Sequence, residues 1–237
     1  MSITITAPPC RLAIFDLDGV IVDSEPIHES VRGELLYALS GGKTRALDAD
    51  PTGTGTAAYY ARFIRAHGAS GTGEKTAHRH YALVLDGIRA ALAAPIPGVI
   101  ETLERLDSAG VLLAVASSSP KFYVNGVLAH FDLTKYFCAV ACGDEVEHLK
   151  PAPDVYELAL ARAGVAAGSA IAIEDSASGL QAALHAGLAC VGFAAPALRP
   201  QNLDGAACRI GRMEDFAPIV LGETENAPGA LTSAHVR

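Results

Sequence analysis

No apolar run in this chain approaches the roughly 20 residues that a membrane-spanning helix needs, so no transmembrane segment is expected. A basic run is missing as well. Lys and Arg number 18 against 26 Asp and Glu, a formal net charge of −8, which argues against a nucleic-acid partner. The five cysteines (Cys10, Cys138, Cys142, Cys190 and Cys208) are scattered and odd in number. That pattern predicts free thiols in a reducing compartment rather than a disulfide framework. Cys138-x-x-x-Cys142 lacks a second ligand pair, which leaves it without the donors of a zinc site. Residues 1–9 carry neither a basic segment nor an apolar stretch of signal-peptide length. Together these absences predict a cytoplasmic protein. What is abundant is apolar side chain: half of the 237 residues are hydrophobic, enough for a sizeable core without staples.

The most informative stretch begins at Leu12. Leu12-Ala-Ile-Phe15 is a short continuous apolar run, the pattern of a strand buried on both faces. It ends in Asp16, then Asp18, then Gly19. Strand alternation points Asp16 and Asp18 the same way, at the carboxyl end, where open α/β sheets bind ligands. Two carboxylates so close repel, which is tolerable if a cation, a shared proton or a reaction uses them. On this stretch alone, an acidic turn built on Gly19 is the competing reading.

Downstream, residues 26–39 are helix-compatible, with Ile27, Val31, Leu35 and Leu39 at spacings of four until Gly41 and Gly42 break the pattern. Residues 43–55 are polar and turn-rich. Residues 57–67 and 76–92 read as helices joined by a loop over 68–73. An all-helical stretch, 26–93, thus interrupts a chain that otherwise alternates. From residue 99 strands and helices succeed one another: helix 99–109, strand 111–116, a helix to about 129, strand 139–141, helix 153–163, strand 170–173, helix 179–186 and strand 188–193. Such alternation implies a parallel sheet with right-handed crossovers. The expected fold is α/β: a Rossmann-like three-layer core from residues 1–25 and 94–222, with an inserted all-helical domain at 26–93. Residues 223–237 are small and polar and are expected to be a disordered tail.

Polar residues cluster where strands end. Asp16 and Asp18, Ser117 and Ser118, and Glu174 and Asp175 each follow an apolar run, and a parallel sheet gathers those ends into one crevice. Lys150 lies in a loop after a fourth strand, near the same edge. Asp16, Asp18 and Asp175 supply hard oxygens suited to Mg²⁺, which also binds substrate phosphate. A hydroxyl at Ser117, backbone N–H groups around Ser118 and the Lys150 ammonium suit phosphoryl oxygens. Asp16 is then placed as a nucleophile and Asp18 as a proton carrier.

Asp16-x-Asp18-Gly-Val, Ser117 at a strand end, Lys150-Pro-x-Pro-Asp154 and Glu174-Asp175-Ser-x-x-Gly179 resemble, in order, the four motifs of the haloacid dehalogenase-like hydrolase superfamily, over roughly residues 12–193. The resemblance implies an Asp16 nucleophile, an Asp18 acid/base, and Mg²⁺ held by Asp16, the Asp18 backbone carbonyl and Asp175. It places Glu174 at or just outside the metal shell, and Ser117, Ser118 and Lys150 on phosphate. It also implies that the helical insert is a cap that closes over the site and selects the substrate. The superfamily's dehalogenases lack the second aspartate, so Asp18 argues for phosphoryl transfer.

Asp23-Ser-Glu-Pro-Ile-His28, Ala116-Ser-Ser-Ser119 and Ile173-Glu-Asp-Ser176 look most like the branch holding β-phosphoglucomutase and small sugar-phosphate phosphatases. There His28 would orient a substrate hydroxyl, with a surface helix histidine as the plainer alternative. The mutases of that branch carry a cap arginine that grips the substrate's other phosphate. The matching stretch here, Gly53-Thr-Gly-Thr56-Ala-Ala, has no basic residue, and Thr56 or Ala57 falls at the arginine's place. A hydroxyl cannot replace a bidentate guanidinium. Lys75 lies near, but two residues from, the place of a later cap lysine. The expected function is a Mg²⁺-dependent phosphatase that hydrolyses a small phosphorylated metabolite, a sugar or polyol phosphate, through an aspartyl-phosphate. A phosphohexomutase is the alternative within the class. A non-catalytic binding protein on the same scaffold is disfavoured by the intact set of residues. Oligomeric state is open.

Overall fold

A computed structural model describes residues 10–45, 55–195 and 201–223. The tail expectation for residues 224–237 and the Gly53 position therefore lie outside the described residues. Leu12–Phe15 forms β1, with every side chain buried. Ala13 and Phe15 pack into one apolar cluster and Leu12 and Ile14 into another, the alternation of a strand covered on both faces. Strands β2 (Leu112–Ser117), β3 (Ala139–Cys142), β4 (Ala170–Glu174), β5 (Ala189–Phe193) and β6 (Cys208–Ile210) complete a parallel sheet in the order β3-β2-β1-β4-β5-β6.

In the insert, three helices follow β1: α1 (Glu25–Leu39), α2 (Thr56–His67) and α3 (Gly73–Ala91). Beyond it, α4 (Val99–Ser108), α5 (Lys121–His130) and the short α8 (Phe216–Val220) supply side chains to the cluster on the Phe15 face. α6 (Asp154–Ala163) and α7 (Ala177–His185) supply the opposite one. This is the expected three-layer α/β core. β1 pairs with β2 on one side and β4 on the other, so the strand order reverses at β1 and a crevice opens at its carboxyl end. β6 and α8 escape the sequence pattern because three and five residues are too few for a period to register.

The insert has a small core of its own, in which Leu35, Leu36, Tyr59, Tyr60, Phe63 and Ala77 are buried together. α3 starts at Gly73 rather than residue 76, because Thr72 caps it by accepting the Lys75 N–H at 3.3 Å. A Cβ at Gly73 would overlap the Ala57 carbonyl, so this glycine lets α3 cross close over α2. The far half of α3 leaves the insert: Val84, Leu85 and Ile88 join the main core, and Leu85 packs against Gly126 of α5. Among the described residues no helix is long and apolar enough to cross a membrane.

Candidate active site

β1 ends at Asp16, whose N–H still donates to the Ile173 carbonyl at 3.2 Å, so its carboxylate leaves the sheet from a fixed position. The next six residues wind back on themselves. Gly19 N–H bonds the Val22 carbonyl at 2.8 Å, the Ile21 and Val22 N–H groups both bond the Leu17 carbonyl, and Val20, Ile21 and Val22 are wholly buried. Gly19 sits at φ +86°, and a Cβ there would collide with the Asp175 carboxylate. Glycine is required at that position both by its backbone angle and by the approach of β4's end.

Three strand ends and one loop meet here. Lys150 is buried and its ammonium donates to Asp16 Oδ1 at 2.5 Å, Glu174 Oε1 at 2.5 Å and the Ala116 carbonyl at 2.9 Å, which uses all three N–H groups. Burial works against its charge, but Asp16 and Glu174 outweigh burial and hold it above the usual lysine range. Glu174 is fully buried and also receives Tyr156 OH at 2.7 Å and Ser176 Oγ at 3.1 Å. Oxygens of Asp16, Glu174 and Asp175 lie within 4.8 Å of one another. Lys150 does not balance them. Burial, then the Glu174 and Asp18 charges, push Asp16 up to about 7 against the pull of Lys150. Asp175 is raised well above the usual carboxylate range, by burial first and then by Asp16 and Glu174. Buried, crowded hard oxygens with a deficit of positive charge are a donor set that fits a divalent cation such as Mg²⁺.

Asp18 has the opposite environment. Its carboxylate accepts Ser24 Oγ at 2.6 Å, Tyr123 OH at 2.7 Å and Ser119 Oγ at 2.9 Å, and His28 Nε2 lies 3.6 Å away. Burial pushes its pKa up, yet His28 and the hydroxyls of Ser24 and Tyr123 outweigh burial and hold it at about 2. Two aspartates two residues apart are thus driven in opposite directions, the arrangement that divides acid/base labour between like groups.

Asp16, Asp18, Ser117, Ser118, Lys150 and Asp175 all line one cavity of about 550 Å³, within the size range of small-ligand sites. The insert forms its other wall. His28 is buried rather than a surface helix histidine, and Thr56 lines the cavity with its hydroxyl 3.1 Å from Tyr81 OH. Lys75 is the exception: it is exposed in the first turn of α3 and does not line the cavity. Thr72 starts the helix at Gly73, so Lys75 lies in a first turn whose exposed side chains face solvent.

Sequence spacing missed Ser24, Tyr123 and Tyr156, which serve Asp18 and Glu174, and Arg32 and His80 on the insert wall. Ser24 and Ser119 stand beside the motifs and were within reach of local reading. The others depend on which helix face turns inward. The pair His78 and His80 shows this: His80 is buried against His28, while His78 stacks on Phe122 of α5.

Residues 13–193 match the family model described as haloacid dehalogenase-like hydrolase. The chain is 32% identical over 178 residues to a phosphorylated carbohydrates phosphatase of Thermotoga maritima, covering 74% of this chain and 81% of that protein. It is 30% identical over 234 residues to protein CbbY of Rhodobacter capsulatus, covering 90% of this chain and 98% of that one. The crystal structure of CbbY from Rhodobacter sphaeroides in complex with phosphate is similar with a TM-score of 0.75 at 25% identity, over 90% of this chain and 99% of that chain.

Proposed function

This chain belongs to the haloacid dehalogenase-like hydrolase family, and within it we propose a phosphatase that hydrolyses a small phosphorylated carbohydrate through a phosphorylated Asp16. The observation that carries this reading is the meeting of Asp16, Asp18, Lys150 and the Ser117–Ser118 strand end on one cavity whose far wall is helical. Asp16 attacks phosphorus with the carboxylate oxygen that Lys150 leaves free, and the bond from phosphorus to the substrate oxygen breaks. Water then attacks the phosphoryl group and releases Asp16. Asp18 moves the protons. Held at about 2, it is a carboxylate in this arrangement and ready to accept the water's proton. The proton it takes from the attacking water is the one it gives to the leaving oxygen of the next turnover, and the Ser24 and Ser119 hydroxyls, which can turn to accept as well as donate, can hold Asp18 while it carries that proton. Mg²⁺ held by Asp16, the Asp18 carbonyl and Asp175, with Glu174 beside them, would neutralise the phosphoryl oxygens. The helical insert is the cap that excludes bulk water and selects the substrate.

The charge deficit gives the metal a measurable signature. Asp16 and Asp175 are acids whose pKa values are raised in the fold, so without a cation stability falls as pH rises through the raised values. Protons and Mg²⁺ compete for the same oxygens. At a hundredfold excess over its dissociation constant the ion is expected to add about 2.7 kcal/mol, or about 5–10 °C for a chain of this size, at pH 8 and much less at pH 5. Differential scanning fluorimetry at the two pH values measures this. Equal shifts at both, or none, count against a metal on these carboxylates.

One observation favours the mutase: Arg32 of α1 is a guanidinium on the cavity wall, although Thr56 stands where that branch has its arginine. Glucose 1-phosphate supplied with a bisphosphate primer separates the two readings. Phosphate release is expected to outrun isomerisation. Isomerisation faster than release makes the protein a mutase.

A further inference from the structure

Beyond the residues at the strand ends, a line of buried polar side chains crosses the insert and ends at Asp18. Tyr60 OH lies 2.8 Å from His80 Nδ1, and His80 Nε2 lies 2.8 Å from His28 Nδ1. His28 Nε2 then lies 3.3 Å from Tyr123 OH and 3.6 Å from Asp18 Oδ1. The three residues come from three different helices, α2, α3 and α1, and all are buried. The histidine ring centres are 5.0 Å apart with planes 25° apart. With a 2.8 Å nitrogen–nitrogen approach, that places the rings edge to edge, where an in-plane N–H···N bond is made, rather than face to face.

Donor counting gives this line a direction. Tyr123 has one hydroxyl hydrogen and gives it to Asp18, so toward His28 its oxygen can only accept. His28 Nε2 must therefore carry a hydrogen. In neutral His28 the other nitrogen, Nδ1, is then an acceptor, and His80 Nε2 is the donor that fills it. His80 Nδ1 is left as an acceptor, filled by the Tyr60 hydroxyl. Burial lowers His80 to about 3, so it stays neutral and keeps a free lone pair. Burial also raises the Tyr60 hydroxyl, which keeps its proton to donate.

We infer that His80 and Tyr60 are positioning residues that hold His28 as its Nε2–H tautomer, so that His28 presents a donor to Asp18 and the reacting oxygen and never a competing lone pair. The inference rests on Asp18 being the proton carrier. Packing alone does not ask for this arrangement, since an apolar ring at position 80 would fill the same space. With the other tautomer, the Nε2 lone pair would face the Asp18 carboxylate and the Tyr123 oxygen, and a donor to a charged group would become a repulsion.

The test uses full-length His80→Leu, Tyr60→Phe and His80→Gln. Glutamine has an N–H at the reach of Nε2 and is the variant expected to rescue. The first readout is the ¹⁵N spectrum of His28, taken on the alkaline plateau of a pH series. Nε2–H is expected in the wild type and in His80→Gln, with Nδ1–H gaining in His80→Leu and, to a smaller degree, in Tyr60→Phe. The second readout is kcat with an alkyl and an aryl phosphate. A loss of about tenfold in His80→Leu on the alkyl ester, at unchanged KM, is the size of one hydrogen bond to a charged group. The loss on the aryl ester, whose leaving group needs little protonation, is expected to be small. Nδ1–H in the wild type overturns the inference, as does an unchanged tautomer in folded His80→Leu and Tyr60→Phe. Equal losses on both esters overturn it too, because they mark a structural role. If the tautomers behave as expected while the wild type hydrolyses no phosphate ester, the tautomer assignment stands and the phosphatase reading fails.

Discussion

Asp16→Asn is expected to abolish hydrolysis of an aryl phosphate while leaving the fold in place. A carboxylate attacks phosphorus because it carries a charge and a free lone pair, and an amide oxygen carries too little of either. Loss of the nucleophile is expected to lower kcat by at least about 10⁴-fold. The structural cost is small for a specific reason. Asp16 is one of three crowded carboxylates, two of them buried, and its pKa, pushed up to about 7, marks a site where negative charge is in excess. Removing that charge relieves Glu174 and Asp175. The asparagine oxygen can still accept from Lys150, which keeps Glu174 as its charged partner. Thermal unfolding is therefore expected within a few degrees of the wild type. Rapid-quench mass spectrometry adds a direct view, with one phosphoryl group on Asp16 in the wild type and none in the variant. Residual kcat above about one hundredth of wild type would place the nucleophile elsewhere, since the calibrating losses for such residues are far larger.

Lys150→Met is expected to be nearly as damaging and, unlike the first change, to destabilise the fold. The side chain is close in length, so the effect isolates the ammonium. Its removal leaves Asp16 and Glu174 without their shared cation and the Ala116 carbonyl without a donor. Removing one partner of a buried ion pair costs about 3–5 kcal/mol, which is about 10 °C in Tm for a protein of this length. The sign with pH is set by Asp16. Its folded pKa is raised above the unfolded value, so the penalty of keeping it charged is present in full above about pH 7 and is relieved as pH falls. The gap between variant and wild type should therefore be widest at pH 8 and narrower at pH 5.5. Glu174→Gln added to Lys150→Met removes one of the stranded charges and is expected to recover part of the loss. Equal Tm values for variant and wild type at pH 8 would show that the ammonium is not what holds these carboxylates together.

Much of this site is legible in one dimension because it is built from strand ends. An apolar run of four to six residues announces a buried strand, and the residue that ends the run lies at the sheet's edge. Parallel pairing of β1 with β2 and β4 then brings Asp16, Ser117 and Asp175 together without further information. Lys150 follows from the same logic, in the loop after β3.

Helix residues resist that reading. An apolar stripe shows that a helix has an inner face, but not which neighbour it meets or how far it is rotated toward a ligand. Lys75, expected at the substrate, lies off the cavity, and Arg32, for which the sequence raised no expectation, lines it for this reason. Lys75 sits in an exposed first turn set by the Thr72 cap, whereas Arg32 falls on the face of α1 that turns to the cavity. Tyr123 reaches Asp18 across 105 residues, and His80 reaches His28 across 52.

Residue pattern and spacing suffice for the α/β alternation, the three-helix insert and the carboxylates, serine and lysine at the sheet's edge. How those carboxylates differ follows from packing. Asp16 is raised by burial among Glu174 and Asp18, whereas Asp18 is lowered by His28, Ser24 and Tyr123. Protonation at a buried site depends on burial and on donors within about 3 Å, and packing sets both at a scale finer than residue spacing can specify.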